Sequence, residues 1–316
     1  MKMRPGDALA ARLIAISAAL LLNIAPAAAI DWAKVPGTDV VLLYPAQMSW
    51  EMLLTQKEHS GADKFRGGKD CRQCHEHHEH ESGALMVVDK SAEPTPIAGK
   101  PGFLKAVVKV AHDADRFYVR VDFDPGKQPD AGMDKDHVAK VALMLDDGHV
   151  AEVARAGCWA TCHDNLAKMP SGGDADTTKY LARSRVKIAR TGGDQIKPEA
   201  DLAQMRANGE YLEYWQAQIK PDGTVVAVDG SVLEKRQEHT TPAVTATATP
   251  AGTGWSVILS RKLVAGAPYK DLVAGKTYNV GLSIHAGHTA RRFHYVSLEK
   301  TLVLDQGAAD FVAARN

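Results

Sequence analysis

The chain has 316 residues, 45% hydrophobic and 24% charged, with 38 basic residues balancing 38 acidic ones. These values exclude wholesale disorder, and the neutral balance argues against a dedicated nucleic-acid binder, which carries a basic excess for phosphate. The length allows one large domain, or one domain with a small appendage.

In chain order, Lys2, Arg4 and Arg12 form a positive head before the apolar stretch Leu13 to Ile24, and Ala25-Pro-Ala-Ala-Ala29 supplies small residues for cleavage. Residues 1–29 read as a signal peptide removed after Ala29. The apolar stretch is short for a membrane span of about 20 residues, and no later segment approaches one. A periplasmic protein with no stable span after signal removal is expected.

Between residues 48 and 66 apolar side chains cluster early and then give way to polar ones, which predicts a short helix capped by Ser49. Gly67-Gly68 ends it. Next comes Cys71-Arg-Gln-Cys74-His75, a C-x-x-C-H, the attachment pattern of a c-type haem. The chemistry needs two thiols for the two vinyl groups on one porphyrin edge and an imidazole beneath the iron. One tight loop supplies all three. His77, His78 and His80, interleaved with Glu76, Glu79 and Glu81, read as a solvated polar loop beyond it, although imidazoles this dense could also bind a transition metal.

Prolines and glycines from about 91 to 103 read as a linker. Beyond it, period-two alternation over 107–112 and 117–123 predicts strands. Further strand candidates are 138–146, 211–219, 223–228, 243–248, 255–261, 277–285 and 293–304, separated by Asp-Gly and Pro-Gly turns. No Gly-rich phosphate loop follows a strand. The fold class predicted is mainly β: an antiparallel β-sandwich haem-binding domain over 104–316, preceded by a small, largely helical or irregular monohaem cytochrome c segment over 30–103.

A second motif lies inside the sandwich region, Cys158-Trp-Ala-Thr-Cys162-His163, with three residues between the thiols. Its rival reading is a disulfide, since exported proteins often form one. The repeated Cys-His favours a second attachment site, and the two motifs then account for all four cysteines. Two covalent haem c groups are expected, with His75 and His163 as proximal ligands. Residues 164–210 lack strand character and are expected to form a long excursion around the second haem. Trp159 and Trp215 could pack on that porphyrin or belong to the sandwich core.

The run Gly157-Cys-Trp-Ala-Thr-Cys-His-Asp-Asn-Leu-Ala-Lys-Met-Pro170, the segment Glu213-Tyr-Trp-Gln-Ala217 and the closing Arg292-Phe-His-Tyr-Val-Ser-Leu298 resemble the haem-binding domain related to the gamma subunits of ethylbenzene dehydrogenase and other dimethyl-sulfoxide-reductase-type enzymes, in a covalent c-type variant. The resemblance covers roughly residues 104 to 306. The front segment, with His59 and Cys71 to His75, resembles the extra monohaem piece of dihaem relatives. It implies a haem-carrying β-sandwich and a role in electron transfer. Those subunits hold a non-covalent haem between methionine and lysine. Here the His163 motif stands in the first position and His294 in the second, a departure that speaks against assembly with a molybdenum catalytic subunit.

His294 is therefore the expected sixth ligand of the second haem, with Met169 as the local rival. His59, upstream of Cys71 across the flexible Gly67-Gly68, is the expected sixth ligand of the first, with Met48, His285 and His288 as alternatives. His112, His137, His149 and His239 are expected at the surface. Mostly bis-histidine coordination keeps reduction potentials lower than methionine coordination does. The function expected is a periplasmic dihaem electron carrier between a quinol-oxidising donor and a terminal reductase or other oxidoreductase. Its rivals are a haem enzyme or sensor with an open axial position, acting on a small nitrogen, sulfur or peroxide species, and an electron-transfer subunit of a larger complex.

Overall fold

The computed structural model describes residues 30–46, 48, 50–88, 93, 96–161, 180–186 and 195–316. The signal segment, Ser49, Cys162, His163 and Met169 lie outside them.

Thirteen strands among these residues form one hydrogen-bonded sheet. They are β1 (Thr38–Leu43), β2 (Phe103–His112), β3 (Arg116–Phe123), β4 (Ala139–Asp146), β5 (Leu212–Ile219), β6 (Val225–Val232), β7 (Arg236–Glu238), β8 (Thr245–Ala251), β9 (Gly254–Lys262), β10 (Tyr278–Ala286), β11 (Tyr295–Ser297), β12 (Lys300–Leu304) and β13 (Phe311–Arg315). The order is β7-β6-β5-β4-β10-β11-β1-β2-β3-β9-β8, with β12 on β10 and β13 joining β12 to β2. Every pairing is antiparallel except β12 with β13 and β13 with β2.

Alternation explains why the sheet closes into a sandwich. Phe117, Val119, Val121 and Phe123 of β3 point inward, as do Val141, Leu143 and Leu145 of β4 and Val280, Leu282 and Ile284 of β10. Each strand thus has one apolar face, and burying these faces requires the two halves of the sheet to meet. They do so where Phe117 of β3 meets Trp215 of β5, ring centroids 5.8 Å apart and edge-on, although these strands are far apart in the sheet order.

Six α-helices among the described residues sit outside the sandwich: α1 (Trp50–Leu53), α2 (Ala62–Arg66), α3 (Arg72–His75), α4 (Glu79–Val88), α5 (Ala151–Ala156) and α6 (Glu199–Ala207). A second apolar core joins them to the sheet, built from Leu43, Trp50, Leu53, Phe65, Val153, Trp159 and Leu298 among others. Helix α4 is seated by a glycine pair. A Cβ on Gly83 would stand 2.3 Å from the Gly102 carbonyl oxygen, so only glycine allows this approach.

Four local expectations change. The single helix over 48–66 is two short ones, α1 and α2, because the polar run after Leu54 turns through Glu58 and His59 N–H bonds to the Thr55 carbonyl. The run 293–304 is two strands, broken where Glu299 turns inward to receive the Arg72 N–H at 2.8 Å. The excursion 164–210 contains α6 within its described part. Strand β1, not expected at all, pairs with β2 and β11 in the middle of the sheet.

Candidate functional site

The first cysteine motif is a single helical turn clamped to the body. The Cys71 N–H donates to the Arg155 carbonyl and the His75 N–H to the Cys71 carbonyl, both at 2.9 Å. Arg72 reaches Asp310 at 2.9 Å and Glu76 at 2.6 Å. The Asp70 carboxylate receives the Gln73 N–H at 2.8 Å. This clamping points Cys71, Cys74 and His75 into one cavity.

The cavity is walled by apolar side chains, chiefly Leu43, Leu53, Phe65, Met86, Trp159 and Leu298, and His59 enters from the opposite side. The His59 and His75 ring centroids are 6.2 Å apart, with ring planes 24° apart. Two imidazoles bonded to one metal atom from opposite sides, each at about 2 Å, bring their centroids to about 6 Å. The His59 Nδ1–H donates to the Leu53 carbonyl at 3.0 Å, and His75 Nδ1 meets the Ser82 hydroxyl at 3.3 Å. In both rings Nε2 is left for a metal, as in ligating histidines, whose other ring nitrogen is held by a hydrogen bond. Burial, with His59 and His78 nearby, lowers the His75 pKa from the ordinary imidazole value. Two thiols, two facing imidazole nitrogens and apolar walls fit a covalently held haem.

The second motif begins in a short 3-10 turn, Gly157–Thr161, with Cys158 buried. Its neighbour Gly281 on β10 makes room: a Cβ there would stand 2.6 Å from the Cys158 sulfur. Cys158 lines a cavity with Met48, Met144, Ser283, Val296 and His294. The His294 Nδ1–H donates to the Arg291 carbonyl at 2.7 Å. His285 lies beside it, centroids 4.7 Å apart, but spends Nε2 on the same carbonyl at 3.0 Å. Burial, with His294, Lys140 and Lys100 close by, pushes His285 well below the ordinary range. The residues present on this side, Cys158 and His294, also fit a haem.

The structure therefore brings Cys71, Cys74, His75 and His59 together, and separately Cys158 and His294. His288 lines neither cavity; its Nδ1–H donates to the Asp134 carbonyl at 2.8 Å. Met48 lines both cavities. Trp159 lines the first cavity, whereas Trp215 belongs to the sandwich core. His112, His137, His149 and His239 each pair with an aspartate; His112, expected at the surface, is buried between β2 and Asp305. Cys71, Cys74 and Cys158 are not joined by a disulfide among the described residues. The histidine-rich run gathers no group of three metal-binding side chains there. Among the described residues no helix is long and apolar enough to cross a membrane.

Sequence reasoning missed Glu299, Arg155 and Asp310, which hold the first motif. No local pattern marks them, because each acts from an element distant in sequence from the motif.

No protein-family model matches the chain. Among solved structures, a family 9 carbohydrate-binding module of Caldicellulosiruptor kristjanssonii, with cellotriose, overlaps 67% of this chain and 76% of its own at 9% identity and a TM-score of 0.28, too loose to bear on function. Full-length sequence similarity is more telling. Cytochrome c-551 of Rhodocyclus tenuis is 27% identical over 90% of this chain and 99% of its own. Cytochrome c-552 of Stutzerimonas stutzeri is 35% identical over 92% of each. Similarity of that extent, joined to a thiol–imidazole turn facing a second histidine, makes this chain a member of the cytochrome c-552 family, a c-type electron carrier with covalently bound haem.

Proposed function

We propose that the protein is a periplasmic dihaem cytochrome c whose two irons are both saturated by protein ligands. Cys71 and Cys74 would hold the first haem, with His75 and His59 as the imidazoles that would bind its iron. Cys158 and Cys162 hold the second, with His163 and His294. Bound, each haem supplies one reversibly exchanged electron. The chain fixes how readily that exchange occurs, through the imidazoles, the apolar walls that exclude water and the hydrogen bonds that orient the rings.

The observation that carries this reading is the His59–His75 pair, 6.2 Å apart with both Nδ1 atoms already engaged. A saturated iron transfers electrons and leaves no position for a substrate, which favours a carrier over an enzyme or sensor. The donor is a quinol-oxidising protein and the acceptor a terminal reductase or another oxidoreductase. Residues 1–29 act as a cleaved export signal, residues 30–103 carry the first haem and lend β1 to the sheet, and residues 104–316 form the rest of the sandwich. We read the sandwich as a covalent relative of the haem-binding domain of ethylbenzene-dehydrogenase-type gamma subunits, working without their molybdenum partner.

The test is a pyridine haemochrome assay on the exported protein, followed by carbon monoxide added to the dithionite-reduced form. Two haems per chain and no spectral response to carbon monoxide are expected. One haem per chain would overturn the second attachment site. Two haems with a clear carbon monoxide shift would bring the enzyme or sensor reading forward.

A further inference from the structure

Glu299, between β11 and β12, stands where the two cysteine motifs meet. Its backbone lies against the second motif: a Cβ on Gly157, the residue before Cys158, would stand 2.8 Å from the Glu299 Cα. Its side chain reaches the first motif, where one carboxylate oxygen accepts the Arg72 N–H, between Cys71 and Cys74, at 2.8 Å. Its neighbour Leu298 lines the same cavity as Cys71, Cys74 and His75. A further bond ties the motifs together, from the Cys71 N–H to the carbonyl of Arg155, which lies just before the second motif in the chain.

Glu299 is buried, and its second carboxylate oxygen has no hydrogen-bond partner among the described residues. A buried carboxylate left in that condition is poorly compensated, so its ionisation responds strongly to any other charge nearby. The charged groups around it are largely committed elsewhere. The Arg72 guanidinium is shared between Asp310 and Glu76, Lys300 lies 3.7 Å from Asp310, and Arg155 donates to the Phe65 and Lys69 carbonyls. Asp70 adds a second negative charge, and the turn Gly157–Thr161 carries no acid or base besides Cys158. Burial and Asp70 bring the Glu299 pKa up to about 7 against the pull of Arg72. An electron arriving at an iron held by His75 adds negative charge to these surroundings and favours the protonated acid further.

We infer that Glu299 is a redox-linked proton acceptor, binding one proton from solvent as the first haem gains an electron and releasing it when that electron leaves. The inference rests on the reading that Cys71 and Cys74 hold a haem. In balance, the donor protein supplies one electron to the iron, solvent supplies one proton, and a single O–H bond forms on the carboxylate. Glu299 acts on the iron through charge alone, so its signature is a midpoint potential that depends on pH. The ionised carboxylate favours the more positive ferric state and the protonated acid does not. The midpoint is therefore higher on the acid side and falls as pH rises.

The experiment is a potentiometric titration, followed in the visible bands, at pH 5, 7 and 9. It compares wild type, Glu299→Gln and the control Glu199→Gln, an exposed acid on α6, each as purified exported holoprotein. Mass spectrometry of a wild-type digest first locates haem on the peptide bearing Cys71 and Cys74; its absence there would refute the reading beneath the inference, whatever the midpoints do. In wild type and Glu199→Gln one midpoint should fall between pH 5 and 9, the ferric to ferrous ratio at fixed potential rising about tenfold, which is 59 mV for one electron. In Glu299→Gln that midpoint should keep its acid-side value throughout, matching wild type at pH 5 and lying above it at pH 9. A shift in Glu299→Gln that is equal at every pH would show a purely structural role and overturn the inference. The same fall with pH in wild type and Glu299→Gln would place the proton on another group, such as a haem propionate, and overturn it too. So would a wild-type midpoint that does not move with pH. Electrochemical reduction of wild type in weakly buffered solution near pH 7 should also draw protons from solution, and no uptake would overturn the inference without any variant.

Discussion

Glu299 offers a quantitative test of how the first haem motif is held. Its side chain is 6% exposed, one carboxylate oxygen accepts the Arg72 N–H at 2.8 Å, and the other has no hydrogen-bond partner among the described residues. Burial pushes its pKa from 4.5 up to about 7, with Asp70 adding to the rise, while the Arg72 N–H and guanidinium oppose it. Because the folded value is the higher one, the folded chain binds the extra proton between pH 4.5 and 7. Stability from this group is then fully present below 4.5 and is lost as pH rises through 7. At about 1.4 kcal/mol per pH unit the loss amounts to about 3 kcal/mol. Glu299→Gln retains the acceptor for Arg72 and removes the titration. Its amide nitrogen faces the same unpartnered surroundings, a cost of about 1 kcal/mol at every pH, so the change with pH is the quantity to read. Guanidinium unfolding of the oxidised holoprotein at pH 4.5, 6 and 8, followed by far-ultraviolet circular dichroism, should show the variant gaining on wild type by about 3 kcal/mol across that range. A difference that stays constant with pH would refute the reasoning.

Three further outcomes are expected. His59→Ala removes one of the two facing imidazoles while leaving Cys71 and Cys74 intact; haem content should stay the same, and carbon monoxide should bind one reduced haem per chain, whereas unchanged spectra would show that His59 is not a ligand. Gly281→Ala places a methyl group where the Cys158 sulfur lies, 2.6 Å away, and should lower haem content from two per chain to one; two haems retained would contradict that close approach. Glu93→Gln breaks a buried ion pair with Arg292, which also engages Tyr44. It should destabilise the fold by about 3–5 kcal/mol, and a loss below about 1 kcal/mol by chemical unfolding would show that the pair is dispensable.

Strands were legible wherever one face is buried and the other is not. The alternation of Phe117, Val119, Val121 and Phe123 predicts β3 because inward residues recur every second position. Strand β1 escaped because Val40, Val41, Leu42 and Leu43 form a short continuous apolar run that does not distinguish strand from helix; its end faces the second core as well as the sandwich. The helix break after Leu54 depends on a turn through Thr55 that a capping signal at Ser49 does not reveal.

The amino-acid sequence by itself determined the chemistry: cysteine pairs followed by histidine are covalent neighbours, and their spacing alone suits the vinyl edge of a porphyrin. It also determined that a mainly antiparallel sheet would form, since side-chain alternation is a local property. Only the tertiary structure decided which distant groups meet. His59 faces His75 because α1, α2 and α4 pack on the sheet around one apolar cavity. His294 shares a wall with Cys158 because β10 and β11 set their register there. Such meetings depend on strand order and register across the chain, and those are fixed by burial of all the apolar faces together rather than by any one segment.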